Sequence, residues 1–432
     1  MKFRIAIFGV LLAVFSLFVA LRVSGFIDAY DTILNGWGVV VGFPTYLPYL
    51  DTHVVLAAIQ CHREGYDVFE YNPCDIMGRW HIYSPVWLFA SPTGVGIGDT
   101  PWVGTAMAVA FLAAAAWVTN ATTAGEAAIF LLALLSQSFA LAVDRGNFDL
   151  LMFIAVVAAC AVFARGPAWR PLSYAAIFIC AILKFYPIVA FGVALTERPR
   201  RFLVVSALAA IGWGLFFYFA WSDLTRLWPH IPHAQPLQDA FGGFNFFQAL
   251  GHLVVRYVPA EATLINAAAP RFYQAACVAA LALSLFFARR LRGGGLTLPV
   301  AGGVGTFFLV GTLISLFAFF TAQNPPYRAI WLLLPLPLLI RMRRDRAAPR
   351  WLWNGEIVLL IVALWFESFH NWAWRLTGSQ AVADLLAFLV REPLWWAFVI
   401  GLMTLLWVQT ASMPIVAQLI ARGRRAAQAG AA

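Results

Sequence analysis

The stretch DRGNFD, Asp144 to Asp149, sets carboxylates, a guanidinium and a carboxamide side by side at the mouth of an apolar run. Its Arg145 suits a paired bond to a carboxylate or a phosphate, because a guanidinium presents parallel N–H groups. A lone lysine, Lys184, stands inside another apolar stretch in KFYP, and Arg328 closes TAQNPPYR. Asp51 opens the segment DTHVVLAAIQCHR. A positioned carboxylate can take a hydroxyl proton, and fixed cations can stabilise an anion as its charge develops. Asp51 is therefore a candidate general base, and Lys184, Arg145 and Arg328 are candidate anion partners. A lysine at mid-bilayer costs roughly 2.5 to 3.5 kcal/mol on insertion scales, a cost that an anion met there would offset. Structural alternatives stand beside each. Asp51 could cap its helix, Arg145 could pair with Asp144 or Asp149, Arg328 could snorkel at a span end, and Lys184 could pair with Asp149. Asp28 and Asp31 lie upstream of Asp51 and compete with it for the same role.

The elements that must carry these residues are membrane helices. Charged residues are 11% and hydrophobic residues 62% of 432, against about 25% charged in soluble domains. A soluble fold could not bury that much apolar surface, so lipid is the solvent for much of it. The net charge of +9 does not signal nucleic acid, because the basic residues sit in short clusters between apolar spans. Eighteen Trp and twelve Tyr fit aromatic belts at the membrane interfaces. About 20 apolar residues make a span. Candidates are Phe3 to Val23, Pro101 to Val118, Ala127 to Val143, Asp149 to Ala164, Phe202 to Trp221, Phe272 to Ala288, Leu298 to Ala322, Pro325 to Ile340, Trp351 to Phe366 and Leu394 to Thr410. Arginine clusters at Arg165, Arg198 to Arg201, Arg289 to Arg292, Arg341 to Arg346 and Arg422 to Arg425 mark cytoplasmic loops. They all fall inside only if Pro171 to Leu195 enters and leaves by the cytoplasmic face. The expected fold is all-α: one polytopic bundle over 1–432, with about ten full spans and a re-entrant pair of half-helices at 171–195. Extracytoplasmic loops then cover 24–100 and 222–271 and carry amphipathic helices, and 411–432 is a cytoplasmic tail.

Polar residues gather on the outward side. Asn147, Asp149, Gln323, Tyr327 and His370 join those above, and Asn245 and Gln248 lie in the loop stretch GGFNFFQALGHLV. Polar groups at a membrane boundary are costly unless paired, wetted or functional. In the first loop, Val54, Val55, Ala58 and Ile59 share a helical face, which suggests an amphipathic helix along the membrane surface. Cys61 and Cys74 in that loop could form a disulfide if it faces an oxidising compartment. No Walker loop, HExxH, CxxC or GxSxG is present. No ligand cluster for a metal is evident, and no resident cofactor is expected.

In order along the chain, Asp51 with GYDVFEYNPCD, YSPVWL from Tyr83, DRGNFDLLMF, KFYP and QNPPYRAIWLLLP resemble the GT-C superfamily of polytopic glycosyltransferases. Within it the likeness is greatest to glycosyltransferase family 87. The motifs are short, and their order and shared sidedness carry the resemblance. One departure is Gly146, Asn147, Phe148 and Asp149, where the family commonly has Asn or Gln with a second Asn. The resemblance implies a GT-C bundle that transfers a sugar, mannose for preference, from a polyprenyl-phosphate donor to a glycolipid or glycan acceptor with inversion. It implies Asp51 as base, with Lys184, Arg145 and Arg328 on the donor phosphate. Tyr83, Asn147, Asp149, Asn245, Gln248, Gln323, Tyr327 and His370 would contact substrate. It further implies the bacterial cytoplasmic membrane, with the site facing the periplasm. A lipid or small-solute transporter or flippase is the alternative, since broken helices at mid-membrane serve transporters too.

Overall fold

The structure is a computed structural model, and it describes residues 1–38, 48–231, 241–257, 262–300, 302–321, 324–345 and 350–429. Among the described residues there are helices and no strand; the one isolated antiparallel bridge joins Phe241 to Asn324. Seven helices among the described residues are long and apolar enough to cross a membrane, or eight if a bent pair is one span. They are α1 (Lys2–Val23), the run Ile97–Val118 that ends in α4 (Thr100–Val118), and α9 (Pro199–Leu227) with its extension to His230. The others are α11 (Ala262–Gly293), α12 (Gly303–Thr321), α14 (Arg350–Thr377) and the run Gln380–Thr410. That last run comprises α15 (Gln380–Leu386), a π-helical turn at Ala387–Arg391 and α16 (Glu392–Thr410). The bent pair is α5 (Ala124–Leu134) and α6 (Gln137–Arg145), which meet at 53°.

The expected ten full spans are thus seven or eight helices of full length plus shorter pieces. α7 (Asp149–Ala164) has 16 residues, roughly 24 Å at 1.5 Å per residue and short of a hydrocarbon core of about 30 Å. The expected span Pro325 to Ile340 divides into a 3-10 segment, Pro326–Leu333, and α13 (Leu336–Asp345). Pro335 and Pro337 lie at that division and lack the N–H that a continuous α-helix would use there.

The segment after α7 doubles back. α8 (Arg170–Lys184) runs into a 3-10 segment, Tyr186–Thr196, through Phe185, whose φ of +58° reverses the chain. The two ends close on each other: Arg170 donates to Glu197 at 2.8 Å and the Tyr174 hydroxyl donates to Glu197 at 3.0 Å. The rings of Tyr174 and Phe191 stack between the arms. α8 is roughly 22 Å long at 1.5 Å per residue, so the hairpin tip with Lys184 reaches the level of the N-terminus of α7 rather than the middle of the bundle.

α12 is the central helix, buried on nearly every side against α7, α16 and both 3-10 segments. α9 is the opposite case. It buries only Ala220, Leu224 and Leu227 and exposes Leu203, Val204, Leu208, Ile211 and Leu215. Apolar surface on that scale, on helices of spanning length, makes this an integral membrane protein. The remaining helices are α2 (Ile27–Gly36), α3 (Leu50–Arg63), α10 (Asn245–Tyr257) and α17 (Pro414–Ala429). α3 corrects an expectation. It does not lie along a surface: eleven of its fourteen residues are buried, because the 3-10 segment Pro85–Thr93 and α4 cover it. The disulfide Cys61–Cys74 ties its last turn to the loop that follows.

Candidate functional site

α3 begins at a seat made by two glycines. Tyr49, at φ +58°, precedes the helix, and its ring lies where a Cβ on Gly104 of α4 would come within 2.2 Å. A Cβ on Gly146 would meet Thr52 Oγ1 at 2.6 Å and Tyr49 Cβ at 2.7 Å, and Gly146 holds φ +55°. That left-handed residue ends α6 at little steric cost and lets the turn close on α3. The Tyr49 N–H donates to the Asp144 carbonyl at 3.2 Å, the Thr52 hydroxyl donates to the Gly146 carbonyl at 2.6 Å, and Tyr49 Oη lies 2.9 Å from Thr105 Oγ1. These contacts lock the first turn of α3 onto the DRGNFD turn. Asp51 makes no capping bond to its own helix. Its carboxylate faces the turn instead.

Arg145 grips that carboxylate with Nη2 at 2.7 Å from Oδ1 and Nε at 3.2 and 3.1 Å from the two oxygens. Asn147 Nδ2 donates to Asp51 Oδ2 at 2.6 Å. The other end of the same amide accepts from Lys184 Nζ at 2.7 Å. Lys184 Nζ lies 2.6 Å from Asp149 Oδ1, and Arg328 Nε lies 3.8 Å from Asp149 Oδ2. Tyr186 donates to Asp149 at 2.6 Å and accepts from Trp331 Nε1 at 3.0 Å. Arg328 also donates to Asn324 and stacks over the Tyr186 ring. Asn147 therefore joins two charged groups, Asp51 with Arg145 and Asp149 with Lys184 and Arg328, into one network of two carboxylates and three cations.

The network is largely out of water: Asp51 is 5% and Asp149 0% exposed. Burial pushes the Asp51 carboxyl up, but the Arg145 charge and the bonds from Arg145 and Asn147 outweigh it and hold the group below the usual carboxylate range. Asp51 is consequently an anion at neutral pH. Burial pushes the Tyr83 phenol well above its ordinary value, with the charges of Asp51, Tyr327 and Asp149 adding to it. The Tyr83 ring lies 5.6 Å from Lys184 Nζ. Next to it, burial lowers His53 despite the nearby Asp75 and takes His81 down to about 4, so both rings are neutral at pH 7. Two cavities lie outside the network itself. One of ≈ 950 Å³ is lined by Asp67, Pro85, Val86, Ile182, Phe216 and Arg226, with Ile182 on the helix that carries Lys184. The other, of ≈ 340 Å³, runs along α1 to Arg22, Asp144 and Tyr49.

The expected residues divide three ways. Asp51, Arg145, Asn147, Asp149, Lys184 and Arg328 form the network, and Tyr83 and Tyr327 border it. Asn245 and Gln248 begin α10, which packs chiefly on α11 and α16. His370 faces Asp384 at 3.5 Å, in the contact between α14 and α15. Neither position is built into the network. Gln323 lies outside the described residues. Arg145 reaches from the end of α6 to Asp51 on α3, and Asp144 bonds to Tyr30 and Arg22. Asp28 is exposed and Asp31 half-buried, both on α2, and neither takes the position Asp51 holds. Sequence reasoning missed Tyr49, Tyr186 and Trp331. Tyr186 sits within KFYP and Trp331 within QNPPYRAIWLLLP, while Tyr49 offered no local signal. Asn324 belongs to the outward polar group with Gln323, Tyr327 and Arg328.

Among the described residues, the His, Cys, Asp and Glu side chains close enough to share an ion are Cys61, Glu64 and Cys74, and the two sulfurs are bonded to each other.

No protein-family model matches the chain, and no curated protein matches it. A search of solved structures finds a similarity to the crystal structure of ArnT from Cupriavidus metallidurans in the apo state. Identity is 13% over 92% of this chain and 78% of that chain, with a TM-score of 0.36.

Proposed function

We propose that this protein is a membrane glycosyltransferase of GT-C type that moves a sugar from a polyprenyl-phosphate donor to an acceptor hydroxyl on the extracytoplasmic side. One observation carries the reading: a buried, ionised carboxylate and three cations meet through Asn147 at the tip of an apolar hairpin. The acceptor oxygen attacks the anomeric carbon while the carbon–oxygen bond to phosphate breaks. The leaving electron pair stays on the phosphate, and the hydroxyl proton passes to Asp51. A single displacement of this kind inverts the anomeric centre.

Charge balance favours this donor class. The network has one positive charge in excess, and a sugar phosphodiester brings one negative charge. In the transfer the phosphate gains a second negative charge as Asp51 loses its own. The site is neutral before and after, so no uncompensated charge has to be buried at either stage. A diphosphate donor would start with a surplus. Lys184 and Arg328 already hold one anion, the Asp149 carboxylate, and are suited to a second beside it. The cavity whose wall includes Ile182, on the same helix as Lys184, and Phe216 is the place we assign to the donor's chain. Mannose as the sugar rests on the sequence resemblance alone.

The test is direct. Purified protein in detergent is given labelled polyprenyl-phosphate sugars and hydroxylated acceptors. A new glycoside formed without a gradient is expected, and Asp51→Asn should lower kcat by about 10²- to 10⁴-fold, the range of general-base contributions. Full activity in that variant would remove Asp51 as the base. Gradient-dependent movement of lipid without any glycoside would make the protein a transporter instead.

A further inference from the structure

We infer that the ≈ 340 Å³ cavity along α1 seats the lipid chain of the acceptor, so the acceptor is a lipid-linked sugar or polyol and not a free glycan. The inference rests on the glycosyl-transfer reading above and names the acceptor class for that same site.

Shape is the first argument. α1 lines the cavity from Leu11 through Phe15 and Phe18 to Val23, at the i, i+4, i+7 spacing of one helical face. At 1.5 Å per residue this is a groove roughly 18 Å long. Leu112 of α4 and Phe139 of α6 close its far wall. A long, narrow, apolar trough on a membrane helix fits a single hydrocarbon chain and does not fit a sugar.

Charge is the second argument, and it separates acceptor from donor. The polar end is balanced: Arg22 lies 3.2 Å from Asp144 and over the Tyr30 ring, and the Tyr30 hydroxyl also bonds Asp144. A phosphate entering there would find its cation already matched by a carboxylate. The excess positive charge lies on the far side of Asn147, with Lys184 and Arg328. A neutral, hydroxylated head suits the α1 end and an anionic head suits the Lys184 end. The second cavity has Ile182, on the helix that carries Lys184, in its wall.

Continuity is the third. Tyr49 and Asp144 line the groove, and each sits next to the reactive pair in the chain, Tyr49 two residues before Asp51 and Asp144 directly before Arg145. A head group leaving the groove past Tyr49 meets the first turn of α3, the turn that carries Asp51.

Two measurements on the full-length protein test this. In the first, an alkyl glycoside with a diazirine near the end of its chain is photo-crosslinked to wild-type protein. Labelled peptides should come from α1 and α6. In the second, alkyl glycosides with one head and increasing chain length serve as acceptors, with a polyprenyl-phosphate sugar as donor. Ala140→Trp and Val14→Trp both fill the groove. Each should lower the ratio of kcat/KM for long over short chains at least ten-fold. Donor-dependent transfer with the label elsewhere, or with the ratio unchanged in both variants, would overturn the groove assignment and leave the transferase reading standing. A rise in donor KM in these variants would give the groove to the donor and overturn the acceptor assignment. Label on α1 and α6 with no donor-dependent transfer would overturn the acceptor assignment together with the transferase reading.

Discussion

Asp51 combines two properties that pull against each other: it is held ionised by Arg145, and it must still accept a proton. A carboxylate has about four lone-pair positions, and Arg145 and Asn147 occupy most of them. Because the folded carboxyl sits below its ordinary value, the stability of this pair is present above the unfolded pKa of about 3.9 and is lost only as pH falls through the lower folded value. The acid side of the kcat/KM profile should therefore stay flat from neutral pH down to about pH 5. A limb near pH 6 in a pH–rate measurement would assign the base of the free protein to another group. His81, taken down to about 4 by burial, is not expected to supply that limb. Lys184 and Arg328 act at the same scale through Asp149. Lys184→Gln should raise the donor KM at least ten-fold, since it removes the cation at the hairpin tip and leaves Asp149 with one fewer partner. An unchanged donor KM would separate Lys184 from the phosphate.

Two turns place these groups, the one at Gly146 and the one at Phe185. The first sets α3 against α6 with a backbone that only glycine adopts cheaply, and it leaves no room for a Cβ. Gly146→Ala should cost about 1 to 3 kcal/mol, combining the positive φ with the overpacking against Thr52 and Tyr49. Thermal unfolding in detergent measures the loss. Transfer should fall further than stability alone accounts for, because Tyr49 and Thr52 aim Asp51. The second turn uses a phenylalanine where glycine would be expected, and the closed ends at Arg170, Tyr174 and Glu197 hold it in place. The basic residues flanking Pro171 to Leu195 imply a chain that returns to its starting face, and the helices at 170–196 do fold back on each other. The depth was not legible. Nothing in KFYP says that the tip meets the start of α7, since that depends on the length of α8 and the packing of both arms on α7 and α12.

At the scale of the whole molecule, buried charge also appears far from the network. Arg391, 1% exposed, lies in the π-helical turn before α16 and bonds Glu392 at 2.9 Å and Glu367 of α14. This triad joins α14 to α16 across the bundle. Arg391→Ala would leave two buried carboxylates without their cation and should cost about 3 to 5 kcal/mol. Loss of thermal stability without a specific change in donor or acceptor KM is the expected result, because the triad touches none of the proposed substrate positions. A selective KM effect would tie α14 and α16 to the site. The lipid-facing side of α9 marks the opposite extreme, where exposed apolar residues cost nothing because the surroundings are apolar too.

What the sequence by itself determined is the class of molecule and the identity of most of the chemical groups. Composition required a membrane helix bundle, because lipid is the only solvent in which so much apolar surface is stable. The scarcity of charge inside apolar runs made Asp51, Arg145, Lys184 and Arg328 stand out one by one. Only the tertiary structure decided who meets whom. Arg145 reaches across to hold Asp51, α3 is buried and not laid on a surface, and Asn147 bridges the two halves of the network. These pairings join residues far apart in the chain. They depend on where Tyr49 seats between Gly104 and Gly146 and on how far the α8 hairpin rises, and local patterns of polarity carry no information about either.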